Sequence, residues 1–161
     1  MTERELIRPG DIVFTRNSGI MSRVVRMRTL SQWSCVGIVV GRTEGTIKVI
    51  SAKWGGVVVD ELRNFGKHIQ VLRCESATPE QIKRMLDFSI ELVGKNYDWC
   101  GILDFLFLQR LQSDRRWFCS ELIYSAMNYS GIDILDGKKK TGFVSPGDLY
   151  ESPLLRFVIR L

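Results

Sequence analysis

Histidine is nearly absent from this chain: His68 stands alone among 161 residues. Imidazole-dependent chemistry within one copy would have to use it. It lies in Gly66-Lys67-His68, just before a strand-like run and away from every motif described below, so a surface loop position is expected. Cysteine is sparse as well, at positions 35, 74, 100 and 119, with no Cys-x-x-Cys spacing. That pattern argues against a zinc ribbon or finger, and no metal site or other cofactor is expected. A disulfide scaffold is not needed in a chain of this size with 45% hydrophobic residues, so reduced thiols are the default. No apolar run reaches the roughly 20 residues that cross a bilayer. The longest, Cys100 to Leu108, is broken by Asp104. The opening Met1-Thr2-Glu3-Arg4-Glu5 lacks the basic-then-apolar pattern of a secretion signal, which gives an expectation of a cytoplasmic location. Internal repeats, low-complexity tracts and linkers are also missing, so one domain over 1–161 is expected.

Acidic residues are in deficit, 18 against 23 basic, giving a net charge of +5. Arg16, Arg23, Arg26 and Arg28 cluster early, and Arg110, Arg115 and Arg116 cluster late. Such a face attracts anionic polymers or an anionic membrane surface without choosing between them. Neither an interleaved aromatic–basic motif nor a recognition helix accompanies it, so specific nucleic-acid binding is not expected.

The periodicity reads as α+β. Strands are expected at Asp11–Thr15, Cys35–Val40, Thr46–Ala52, Gly56–Val59, Ile69–Arg73 and Leu155–Ile159. Ser18 can cap a helix through about Thr29, with Ile20, Val24 and Met27 on one face. The clearest helix start is Thr78-Pro79-Glu80-Gln81, where Thr78 and Gln81 can close a capping box. Ile82, Met85, Leu86, Ile90 and Val93 then repeat as far as Gly94. Asp98–Leu111 reads as an apolar helix, Ser120–Tyr129 as another that Gly131 ends, and Lys138-Lys139-Lys140 as a solvated loop.

Trp117-Phe118-Cys119-Ser120-Glu121-Leu122-Ile123 sets a cysteine where an extended aromatic segment turns into an amphipathic helix. The partial positive charge of a helix N-terminus favours thiolate over thiol, and thiolate is the nucleophilic form. Glu121, in the first turn, suits the helix dipole but would oppose the thiolate if it pointed at Cys119.

Around this segment stand Pro9-Gly10-Asp11-Ile12-Val13-Phe14, Ser34-Cys35-Val36-Gly37-Ile38, Gly94-Lys95-Asn96-Tyr97-Asp98-Trp99-Cys100-Gly101 and Val144-Ser145-Pro146-Gly147-Asp148-Leu149. In this order they resemble the circularly permuted, NlpC-like papain-fold cysteine peptidases, over nearly the whole chain. The resemblance implies an antiparallel sheet packed against helices, one of which carries the nucleophile, Cys119. It implies that Tyr97 lines the substrate site. The family's base histidine, in Ser-His-Val-Gly-Ile, falls on Cys35, and its third polar residue, the Glu of Val-Ile-Glu-Ala, falls on Ser51. The nucleophile is therefore kept while both helpers differ. A cysteine with an ordinary pKa of about 8.5 is mostly protonated near neutrality, where histidine is the efficient base.

Three functions follow from this constellation. One is a cysteine hydrolase or acyltransferase acting on amide or ester bonds of a peptide or lipid acyl substrate. Another is an inactive relative that keeps the cleft as a binding module. The third is a thiol redox element built from Cys35 and Cys119, since two thiols within reach can form a disulfide or hold a soft metal.

Overall fold

The structure, a computed structural model, describes residues 3–16, 32–53, 56–94, 118–138 and 144–161. The helices expected over 18–29 and 98–111 lie outside the described residues. Six strands form one antiparallel sheet: β1 (Ile12–Thr15), β2 (Cys35–Thr43), β3 (Thr46–Lys53), β4 (Gly56–Glu61), β5 (Ile69–Cys74) and β6 (Leu155–Arg160). Their spatial order is β4-β3-β2-β1-β5-β6, which puts β1 and β2 in the centre.

β2 runs three residues further than expected because it belongs to a hairpin. Thr43 pairs with Thr46 across the two-residue turn Glu44-Gly45. Both turn residues have positive φ, 51° and 74°, the type I′ geometry whose twist suits paired strands. A bulge between Val39 and Gly41 shifts the register midway along this pair.

The sheet divides the apolar residues into two layers. On one side Ile12, Phe14, Val36, Ile38, Ile50, Ala52 and Leu72 meet the helices. On the other, Val13, Val39, Val49 and Val71 pack with Leu62 and Phe65 of α1 (Leu62–Phe65), a short helix absent from the sequence expectation. This alternation is the period-two signature of a strand buried on both faces.

α2 (Pro79–Leu92) starts with the expected capping box, both halves of which form between Thr78 and Gln81. Its buried stripe is rotated from the expected one: Met85, Phe88, Ser89 and Leu92 face inward, while Ile90 is 53% exposed. Phe88 stacks on Tyr129, with ring centroids 5.0 Å apart, and so fixes the side that meets α3 (Phe118–Tyr129). α3 lies against β2 and β3 as well as α2. Its Leu122, Ile123, Ala126 and Met127 have no measurable exposure. Each such large side chain contributes roughly 1.5–3 kcal/mol of burial, which presses the helix start onto the central strands. The helix ends at Gly131, φ 86°, with the Ile132 N–H donating to the Met127 carbonyl at 2.9 Å. A second capping box, between Ser145 and Asp148, opens α4 (Pro146–Tyr150).

Pro9-Gly10-Asp11 is a structural lock. Asp11, 1% exposed, accepts from Arg73 through both carboxylate oxygens, at 2.6 and 2.8 Å, and from the Arg8 N–H at 2.8 Å. Gly10, at φ 90°, lies so close to α2 that an added Cβ would stand 2.8 Å from Ile82. The motif thus ties the start of β1 to β5 and to α2.

Candidate functional site

Cys119 lies in the first turn of α3 and is 8% exposed. The first N–H groups of a helix have no partner within it, so they are free to hold a sulfur anion. Ser120, beside it, donates to the Val144 carbonyl at 2.6 Å and ties the helix start to the segment leading into α4.

Cys35 is the first residue of β2, paired with Thr15 of β1. Strict alternation would send its side chain to the side of Val39, away from α3. As a strand-end residue, however, it packs against both apolar layers. There it packs against the buried cluster that contains Cys119, near enough for the two thiols to bias each other's ionisation. This mutual interaction is the largest influence on both. It pulls the Cys119 thiol below its ordinary pKa, with help from the backbone of Val36, Ser120 and Cys119 itself and against the effect of burial. It pushes Cys35 well above its ordinary value, reinforced by burial and by the charge on Cys119, while Lys53 acts in the other direction. The pair therefore ionises in order, Cys119 first. The Cys35 thiol donates to the Val36 carbonyl, 3.7 Å from its sulfur.

Ser51 lies on β3, paired with Val58 of β4. Ile38 pairs with Ile50, and one further step of that register brings Ser51 opposite Gly37, two residues from Cys35 and on the same side. Its hydroxyl is fully buried and has no hydrogen-bond partner among the described residues. Gly37 leaves no room for a larger residue: an added Cβ would be 2.6 Å from Val49 Cγ1 and 2.9 Å from both the Ile50 carbonyl oxygen and Phe65 Cζ.

Tyr97 and Cys100 lie outside the described residues, as do the arginines of the two basic segments except Arg16. His68 is exposed, with φ 54°, one residue before β5. Ile69 pairs with Thr15, which in turn pairs with Cys35. Two strand spacings, about 10 Å, thus separate the His68 end of β5 from Cys35, beyond the roughly 3 Å a base requires.

Two features escaped the sequence reading. Phe14, Trp33 and Tyr150 form an aromatic cluster beside the start of β2, with centroids 4.9–5.8 Å apart. Only the alternation of Phe14 within β1 hinted at it. The burial of Glu121, whose place in the first turn the sequence did show, is the second. Burial raises its carboxyl to about 7, although it lies only two residues beyond Cys119. Residues two apart on a helix do not face each other, so Glu121 is not the partner of that thiol.

The model of the permuted papain-like amidase enzymes of the YaeF/YiiX family matches residues 6–158. Among curated proteins, the chain is 25% identical over 177 aligned residues to the probable lipoprotein peptidase YaeF of Escherichia coli. That alignment covers 89% of this chain and 62% of YaeF, so the chain spans less than two thirds of that relative's length. Among solved structures, the crystal structure of the metalloprotein YiiX from Escherichia coli matches with a TM-score of 0.70. The match covers 96% of this chain and 97% of that one at 22% identity, a likeness of fold. Among the described residues, no group of three or more His, Cys, Asp or Glu side chains is gathered as metal ligands would be.

The cytoplasmic expectation is corrected by these findings, because the curated relative is by name a lipoprotein peptidase. A lipid anchor is a covalent attachment and needs no spanning helix. That no described helix is long and apolar enough to cross a membrane therefore has no bearing on where the protein resides.

Proposed function

The chain belongs to the permuted papain-like amidase family, and from that premise we propose that it is a cysteine hydrolase or acyltransferase of amide or ester bonds, with Cys119 as nucleophile. The observation that carries this reading is the asymmetric thiol pair, in which Cys119 is held toward thiolate by the Cys35 thiol and by backbone donors. Cys119 attacks the substrate carbonyl, the negative charge moves to the carbonyl oxygen, and collapse expels the alcohol or amine to leave a thioester on Cys119. N–H groups of the first turn of α3 are suited to the developing oxyanion.

Cys35 is not available as a base near neutrality, because its raised pKa keeps it protonated. Water attacking the thioester then lacks the general-base help that an imidazole supplies. Transfer to a neutral amine or thiol is favoured over hydrolysis, and esters over amides, whose leaving group needs a proton. The substrate class is a peptide or an acyl chain. The name of the curated relative, a probable lipoprotein peptidase, supports the peptide side. Contact with an anionic polymer or membrane surface belongs to the same proposal and rests on the net charge of +5. A binding module that has lost turnover is the second reading, motivated by the neutral, unpaired Ser51 at the third position.

The test is to treat the reduced protein with an activated ester and map the adduct by mass spectrometry. One acyl group on Cys119, formed in a burst and released slowly, is expected. A folded protein that acquires no adduct on Cys119, or a Cys119→Ala variant that turns over equally fast, would remove the nucleophile assignment and leave the binding module.

A further inference from the structure

We propose that Cys35 and Cys119 are a modification site: a hydroperoxide converts the pair to a disulfide, which shuts off the nucleophile until a thiol reductant reopens it. The inference rests on the reading of Cys119 as nucleophile for its consequence, loss of activity, but its chemistry rests on how the two thiols are packed. Where this fold family has an imidazole, which cannot join to sulfur, this chain has a second thiol packed against the buried cluster that contains the first, on a strand that the Cys119 helix lies against. Both cysteines are free thiols in the structure, as is Cys74. Cys74 is buried on β5, with its sulfur 3.5 Å from the Ser76 hydroxyl.

The Cys119 thiolate attacks one oxygen of hydrogen peroxide, forms Cys119 sulfenic acid and releases hydroxide. The Cys35 thiol then attacks the sulfenic sulfur, the S–S bond forms, and the sulfenic oxygen leaves with the thiol proton as water. Two electrons pass from the two sulfurs to the peroxide. Reduction by a dithiol returns both thiols by exchange through a mixed disulfide. The order of ionisation suits each role: the attacking sulfur is the one held toward thiolate, and the resolving one keeps its proton. Cys35 also shields Cys119, because a sulfenic acid with no neighbouring thiol proceeds to the irreversible sulfinic and sulfonic acids.

The experiment exposes the full reduced chain to a stoichiometric amount of hydrogen peroxide and analyses it by intact mass and peptide mapping without reduction. The expected product has lost two hydrogens and carries a Cys35–Cys119 cross-linked peptide. Dithiothreitol restores the starting mass. With several equivalents of peroxide Cys35→Ser gains oxygen on Cys119 instead, as sulfinic and sulfonic acids that dithiothreitol does not reverse. Acyl-transfer activity of the wild type should fall to the Cys119→Ala background on oxidation and return on reduction. Oxygen addition at Cys119 in the wild type with Cys35 left reduced, or cross-links confined to Cys74 or Cys100, would overturn the proposal; the wild-type map decides this even if Cys35→Ser does not fold. A Cys35–Cys119 cross-link in a protein without activity in either redox state would sustain the modification site and sink the function proposed above. Activity lost without any cross-link would do the reverse.

Discussion

Asp11 and Ser51 are both buried polar side chains of one sheet, yet their surroundings differ in kind. Asp11 receives three hydrogen bonds, two of them from the Arg73 guanidinium in bidentate form, and Arg73 spends a further N–H on the Leu6 carbonyl at 2.8 Å. Ser51 is equally buried, and its hydroxyl has no partner among the described residues. A charged group can be kept inside a protein only when it is paired in this way, whereas a neutral hydroxyl can be left unpaired at modest cost. The contrast separates a lock, whose residues are fixed by the fold, from a site whose residues are free to change without unfolding the protein. Cys and Ser at the positions where the resemblance puts a His and a Glu would keep charge out of the interior, which the fold tolerates readily.

The largest effect is expected from giving the site back its charges. Cys35→His with Ser51→Glu would set an imidazole beside Cys119 and a carboxylate on the same side of the sheet as that imidazole. General-base assistance is commonly worth about 10²–10⁴-fold, and acyl transfer from an activated ester should rise within that range. Ser51→Glu alone should instead destabilise the fold by about 3 kcal/mol, because its carboxylate is buried without a partner. A double variant that folds, measured by near-ultraviolet circular dichroism, and stays at the wild-type rate would show that the cleft has lost more than its base.

Next comes the lock. Asp11→Ala leaves the Arg73 guanidinium, itself only partly exposed, and the Arg8 N–H without their acceptor. Breaking a buried pair from one side costs about 3–5 kcal/mol, and the exposure of Arg73 places this case near 3. Urea unfolding should show the midpoint falling with an unchanged slope. A loss below about 1 kcal/mol would erase the distinction between the two buried groups.

Much of this molecule could be read from its residues. The Thr78–Gln81 capping box and the β-branched run of β2 are local signals, and they appear where local chemistry put them. The stripe on α2 was misread because apolar residues surround that helix, and the choice of Phe88 over Ile90 is made by Tyr129, more than forty residues later. The end of β2 was missed because Arg42 and Thr43 are polar; only the Glu44-Gly45 turn marks that the hairpin continues. At the site, the helix start at Cys119 was visible locally. That Cys35 should meet it followed from resemblance alone, since no spacing rule links residues so far apart. Which of the two ionises first depends on the backbone donors around Cys119 and had no sequence signal at all.

A smaller effect concerns Glu121, whose carboxyl burial raises to about 7 from 4.5. The folded state then holds a proton more tightly than the unfolded chain between those two values. Stability is undiminished below about pH 4.5 and falls as pH rises toward 7, by on the order of 2–3 kcal/mol. Glu121→Gln, which cannot ionise, should remove that decline and leave the variant more stable than the wild type at pH 8 but not at pH 4. Thermal unfolding of both proteins across this range checks it. Parallel stability curves would mean that the carboxylate finds a partner at neutral pH.

The smallest effect completes the comparison from the Ser51 side. Ser51→Ala removes a hydroxyl that is buried without a hydrogen bond among the described residues, so the usual loss on deleting a polar group has no counterpart here. What remains is relief of a desolvation penalty, set against a slight loss of packing around Gly37 and Val58. The net is expected between zero and a gain of about 1 kcal/mol, which in a chain of this size raises the Tm by no more than about 4 °C. A loss of 1 kcal/mol or more would show that the hydroxyl has a partner, for which a trapped water is the ordinary candidate. Ser51 would then be a lock of the same kind as Asp11, and its change from the family's carboxylate would have kept a polar contact rather than discarded one.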